Sequence, residues 1–169
     1  MAIFIITFGA FIVGILLIVS LKKVSPPTPQ EQIHFDNLDD VPKYLRDPTA
    51  FKDKCVEFLE KFNLEYVHSV WANDQELEIA MNDETPVVGG IYLALCIIDP
   101  PGQTVNVIKV KGFLDTVKGE GASRGIFITT GYFSDEAIRS IDEEPVELVD
   151  VVSFVSYLKR FGIYEIPDS

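Results

Sequence analysis

Positive charge is scarce in this chain. Lys and Arg total 14 against 26 Asp and Glu, which gives a formal net charge of −12 at pH 7 and a pI near 4.5. Neutralising phosphates supplies most of the affinity in non-specific nucleic-acid binding, so this balance argues against tight, sequence-independent DNA binding, although an uneven charge distribution can still leave a local basic patch. Histidine is rarer still. His34 and His68 are isolated from each other and make no metal site between them. Cys55 and Cys96 are the only cysteines, and nothing in their spacing suggests a metal. They read as buried thiols acting as small hydrophobes, which suits a cytoplasmic setting. The nucleophile elbow, the P-loop, GxGxxG and HExxH are all missing. GEGASRG (119–125) holds three glycines but follows a helical stretch and precedes a strand, the wrong order for a phosphate loop. There are no internal repeats.

What the chain does have begins at its front. Ala2–Leu21 is a run of 20 residues without a charge, enough to cross a bilayer as a helix. No Lys or Arg precedes it and no small-residue cleavage site follows, so it reads as a permanent single-span anchor and not as a signal peptide. Lys22 and Lys23 follow directly and place the rest of the chain in the cytoplasm by the positive-inside rule. The expected organisation is an anchor over 1–23, a Pro-rich linker over 24–46 and one folded domain over 47–169.

Asp47 and Pro48 carry the start signal of the first helix, and Phe51, Cys55, Phe58, Leu59 and Phe62 recur at helical spacing on one apolar stripe. Strands are expected over 64–71, 76–81 and 90–98, the last a nearly continuous apolar run of the kind covered on both faces. Asp99-Pro100-Pro101-Gly102 is a turn, after which the alternation over 104–110 predicts a strand in a hairpin with 90–98. The remainder reads as helix over 113–120, strand over 125–130, helix over 134–143, strand over 146–149 and helix over 151–161. Hairpin-linked strands followed by strands alternating with helices imply an α/β fold: a mixed central sheet flanked by helices, here behind one N-terminal transmembrane helix.

Gly121–Ala137, GASRGIFITTGYFSDEA, is a turn, a buried strand, a glycine break and a helix start, with Ser134 placed as N-cap. This block closely resembles the second half of the Mrr-type restriction endonuclease domain, a branch of the PD-(D/E)XK nuclease fold. The resemblance covers about residues 47–161 and implies a site built from a Glu on the first helix, the Asp that ends a DGGID segment, and a Gln or Glu two residues before a Lys on the next strand. In such a site the carboxylates hold Mg²⁺, which polarises the phosphate and activates water, while the lysine stabilises the developing charge.

Against that pattern, Val88-Gly89-Gly90-Ile91-Tyr92 stands where DGGID would be, so Tyr92 takes the place of the metal-binding Asp. Lys109-Val110-Lys111 stands where Gln-x-Lys would be, so Lys111 matches the catalytic lysine and Lys109 replaces a ligand with a cation. Phe51-Lys52 stands where Phe-Glu opens the first helix. A neutral phenol is a poor Mg²⁺ ligand beside a carboxylate. The expectation is therefore a binding site without a metal: Lys109 and Lys111 forming an anion pocket or a solvated strand face, and Thr129 and Thr130 shaping the mouth of a DNA-binding cleft. The function expected is a non-catalytic binding or interaction module at the inner membrane surface, with DNA or membrane-associated proteins as partners. Two alternatives stand beside it. One is an active Mg²⁺-dependent DNA endonuclease using migrated carboxylates among Glu76, Glu78, Asp83, Glu84, Asp99 and Asp115, as in type IV restriction; the other is a structural membrane-assembly protein that merely kept the fold.

Overall fold

The computed structural model describes residues 41–165. The hydrophobic run Ala2–Leu21 lies outside them; among the described residues, no helix is long and apolar enough to cross a membrane. After a 3-10 turn (Lys43–Leu45) the elements run α1 (Pro48–Glu60), β1 (Glu65–Asn73), β2 (Glu76–Asp83), β3 (Gly90–Ile97), β4 (Thr104–Val105), α2 (Val107–Gly119), β5 (Arg124–Thr129), β6 (Tyr132–Phe133), α3 (Asp135–Arg139), β7 (Val146–Val149) and α4 (Val151–Arg160).

Capping chemistry sets where these helices begin. Asp47 Oδ1 accepts from Ala50 N at 2.9 Å with Pro48 as the first helical residue of α1. Ser134 Oγ accepts from Ala137 N at 3.1 Å, and Asp135 and Glu136 put carboxylates at the positive end of α3. Asp150 Oδ1 accepts from Ser153 N at 2.8 Å to open α4.

The main sheet has the order β1-β2-β3-β5-β7. β1, β2 and β3 pair antiparallel, while β3, β5 and β7 pair parallel. This is the mixed sheet expected from the order of elements. On one face, Leu77, Ile79, Met81, Ala94, Cys96 and Ile128 pack under α1 and α4, where Phe51, Phe58 and Phe154 form edge-to-face contacts. On the other, Leu95, Ile97 and Phe127 pack under α2 through Val110, Phe113, Leu114 and Val117. Val41, Tyr44 and Leu45 are buried in the first of these clusters, so packing begins upstream of position 47.

One element differs from the sequence expectation. Residues 104–110 are not a strand paired with β3. Only Thr104 and Val105 are extended, and they pair in parallel with Tyr132 and Phe133 in a separate two-stranded sheet. Asn106 then caps α2, its side chain accepting from Lys109 N at 3.1 Å. The apolar residues at 107, 110, 113, 114 and 117 follow the helical period, and this longer pattern outweighs the short β-branched alternation.

Candidate functional site

The helical start of α2 moves both lysines of the expected pocket off the sheet. Two residues apart on a helix they point about 200° apart, so they do not share a face. Lys111 is exposed to solvent, whereas Lys109 is half-buried and forms an ion pair with Glu76 at the start of β2. Glu76 faces Ile97 across the β2–β3 ladder and Glu78 faces Leu95, so both carboxylates lie on the α2 side of the sheet.

The same end of β3 holds the two threonines. Thr129, opposite Ile97 on β5, donates its hydroxyl to Asp99 Oδ2 at 2.6 Å and accepts from Gly131 N at 2.9 Å. Thr130 Oγ1 accepts from Asp99 N at 2.8 Å and lies 2.9 Å from Asp99 O. Both threonines are buried, at 0% and 8% exposure, so their hydroxyls lock the Asp99 turn against β5 and do not line an open cleft. This is a correction to their expected place at a DNA-facing mouth. Nearby, burial and then the charge of Asp150 raise the Tyr132 hydroxyl above its ordinary value and keep it neutral.

Tyr92 is elsewhere. It sits near the start of β3, opposite Met81 and Arg124, five residues or about 16 Å along the strand from Ile97. It lines a cleft of about 700 Å³ with Asp83, Arg124, Glu143, Glu144 and Glu147 among its neighbours. Hydrogen bonds from the Thr85 hydroxyl and then its backbone N–H hold the Asp83 carboxyl below the ordinary range. A cleft with four carboxylates and one guanidinium repels phosphate. The glycines before Tyr92 have a structural reason: a Cβ on Gly89 would lie 2.2 Å from Asp83 O, and Gly90 has φ +140°.

The structure thus brings together Glu76, Lys109, Asp99, Thr129 and Thr130 at one end of the sheet, and leaves Tyr92 and Lys111 out of that group. Sequence reading missed the contact of Lys109 with Glu76; the signal that could have found it was Asn106 ahead of the helical apolar repeat. A hard cation such as Mg²⁺ needs several convergent oxygens. Among the described residues, no three His, Cys, Asp or Glu side chains converge to hold a metal, and Glu76 already faces an ammonium. The arrangement as it stands does not fit Mg²⁺. Cys55 and Cys96 are both buried and free. Burial, and then Cys96 beside it, pushes the Cys55 thiol well above its ordinary value, so it is an inert core group.

Residues 47–158 match the family model of the Mrr catalytic domain, described as a restriction endonuclease. The chain belongs to this family. The Mrr-type domain is similar to the structure of the DNA modification-dependent restriction endonuclease AspBHI, with a TM-score of 0.51 at 15% identity over 81% of this chain. It is also matched to the MspJI restriction endonuclease in complex with a 27-mer oligonucleotide, with a TM-score of 0.49 at 20% identity over 70% of this chain. The chain spans 37% of the first of these and 29% of the second, roughly a third of either enzyme. At these identities the likeness shows the fold alone. The search of curated proteins finds no match.

Proposed function

We propose that this Mrr-type domain does not cleave DNA and serves as a binding module held at the cytoplasmic face of a membrane. One observation carries the reading. None of the five strands of the main sheet contains a lysine, and β3, beside the two β2 carboxylates, presents Leu93, Leu95 and Ile97 toward the α2 side. The family pattern needs a Gln or Glu and a Lys two apart on such a strand, and apolar side chains can neither ligate a cation nor stabilise a phosphorane. The net charge of −12 favours a protein ligand over a bare phosphate backbone. The uncharged run Ala2–Leu21 with Lys22 and Lys23 after it supports the membrane placement.

A second reading has its own observation. Lys109 reaches Glu76 on the face where Glu78 also stands, so an ammonium and two carboxylates share one surface. This is the start of a relocated nuclease site.

Incubating the purified chain with plasmid and Mg²⁺ or Mn²⁺ separates the two, beside a chelator control and Lys109→Ala, Glu78→Gln and Lys111→Ala. The first reading expects intact plasmid throughout. Cleavage abolished by chelator and by Lys109→Ala or Glu78→Gln would establish the second. Resistance of the chain to carbonate extraction from membranes tests the anchor, and salt-dependent binding to a DNA duplex tests DNA as the ligand.

A further inference from the structure

The two edges of the main sheet are built differently. β7 is four residues long, with Glu147 in its middle, and is therefore short and charged in the way that exposed edges are usually protected. β1, at the other edge, is nine residues long. From Tyr66 to Asn73 it carries no Lys, Arg, Asp, Glu or Pro. Its apolar side chains are open to solvent: Tyr66 is 42% exposed, Val67 50% and Val70 57%. Every second residue also presents an outward N–H and C=O that no strand among the described residues accepts.

We infer that β1 is a pairing edge, and that its occupant is β1 of a second copy of this chain, laid antiparallel to extend the two five-stranded sheets into one. Register slips on either side of His68–Trp71 leave that run regular, and it is the part able to offer a straight ladder. Antiparallel self-pairing requires a two-fold centred on a residue, here Ser69 or Val70, so that outward-facing groups meet outward-facing groups. With Ser69 at the centre, Glu65 falls opposite Asn73; with Val70 at the centre, it falls opposite Gln75. Neither register opposes like charges, although the chain as a whole is strongly acidic. From Tyr66 to Asn73 the strand is thus a window free of carboxylates and ammonium groups in a repulsive surface, and self-pairing covers Val67 and Val70 while satisfying the outward backbone groups.

Position-specific crosslinking of the full-length chain in detergent tests this directly. Both native cysteines are buried, so Ser69→Cys supplies the only accessible thiol among the described residues. A short bismaleimide should yield covalent dimer at Ser69→Cys at least about tenfold above Glu120→Cys, an exposed position beyond the end of α2. Adding Val70→Lys, which places an ammonium on each edge, should return the yield to the Glu120→Cys level without lowering the melting temperature. Association through the hydrophobic N-terminal run would give equal yields at the two cysteines and would overturn the inference. A Ser69→Cys crosslink that survives Val70→Lys would overturn it too, as would a chain whose β1 is captured by another protein's strand and never by its own.

Discussion

Lys109 on α2 and Glu76 on β2, 33 positions apart in the chain, form an ion pair between the helix and the face of the sheet beneath it. The pair turns a lysine that sequence alignment assigns to a catalytic strand into a clamp between a helix and the start of a strand. Its side chains are 37% and 28% exposed, so water and salt weaken it. Lys109→Ala should cost about 0–1 kcal/mol in urea denaturation, and the difference should shrink further in high salt.

Thr129 has a larger structural role. Its hydroxyl joins the Asp99 carboxylate to the Gly131 amide with no exposure to water. Thr129→Val keeps the shape but leaves the buried Gly131 N–H and the half-buried Asp99 carboxylate short of a partner. The expected loss is about 1–3 kcal/mol, and Thr129→Ser should recover most of it. Equilibrium denaturation of the two variants side by side is the measurement.

Two glycines should respond oppositely to the same change. A Cβ on Gly125 would meet Val117 Cγ2 at 2.6 Å and Phe113 Cε1 at 2.9 Å, so Gly125→Ala should destabilise by roughly 1–3 kcal/mol as β5 is pushed off α2. Gly112, inside α2, has nothing within 4 Å of its missing Cβ. Gly112→Ala should raise stability by about 1 kcal/mol, the helix-propensity difference. Thermal melts of both variants give the two signs.

Alkaline pH should unfold the domain through Tyr44 and Lys54. Burial first, then the charges of Tyr164 and Glu165, raise the Tyr44 phenol far above its ordinary value of 10.0, and its hydroxyl has no hydrogen-bond partner among the described residues. Burial lowers Lys54, but hydrogen bonds to Glu165 and Glu57 outweigh that and hold it above its ordinary 10.5. Both shifts are upward. Each group's contribution is therefore complete below the unfolded-state value and is lost as pH climbs through the folded one. Stability should be flat in this respect to about pH 10 and fall above it. Tyr44→Phe should flatten the first part of that fall in a pH series of urea melts. At neutral pH it should change stability by less than about 1 kcal/mol, because no hydrogen bond is lost.

The local signals in this chain determined a good deal on their own. Asp47, Ser134 and Asp150 mark helix starts because a side-chain oxygen beside a run of orphan amides acts within one turn and needs no distant partner. The apolar run at 90–98 read as a covered strand, and β3 is covered by α1 and α4 on one side and α2 on the other. The mixed sheet followed from the order of such elements, and the Mrr-type fold was implied by the resemblance carried on Gly121–Ala137. Tertiary structure decided the rest. Residues 104–110 had two competing periods, and the helical one won because Val110, Phe113, Leu114 and Val117 are buried together only as a helix on β3 and β5. That choice sent Lys109 to Glu76 and Lys111 to solvent, while Tyr92 sits near the other end of β3, about 16 Å along the strand from Ile97. Thr129 and Thr130 looked like cleft residues because sequence shows a hydroxyl but not what it faces. Spacing along a chain reports neighbours within a turn or a strand, whereas a site is made of residues from different elements, and only the packing of those elements brings them to one point.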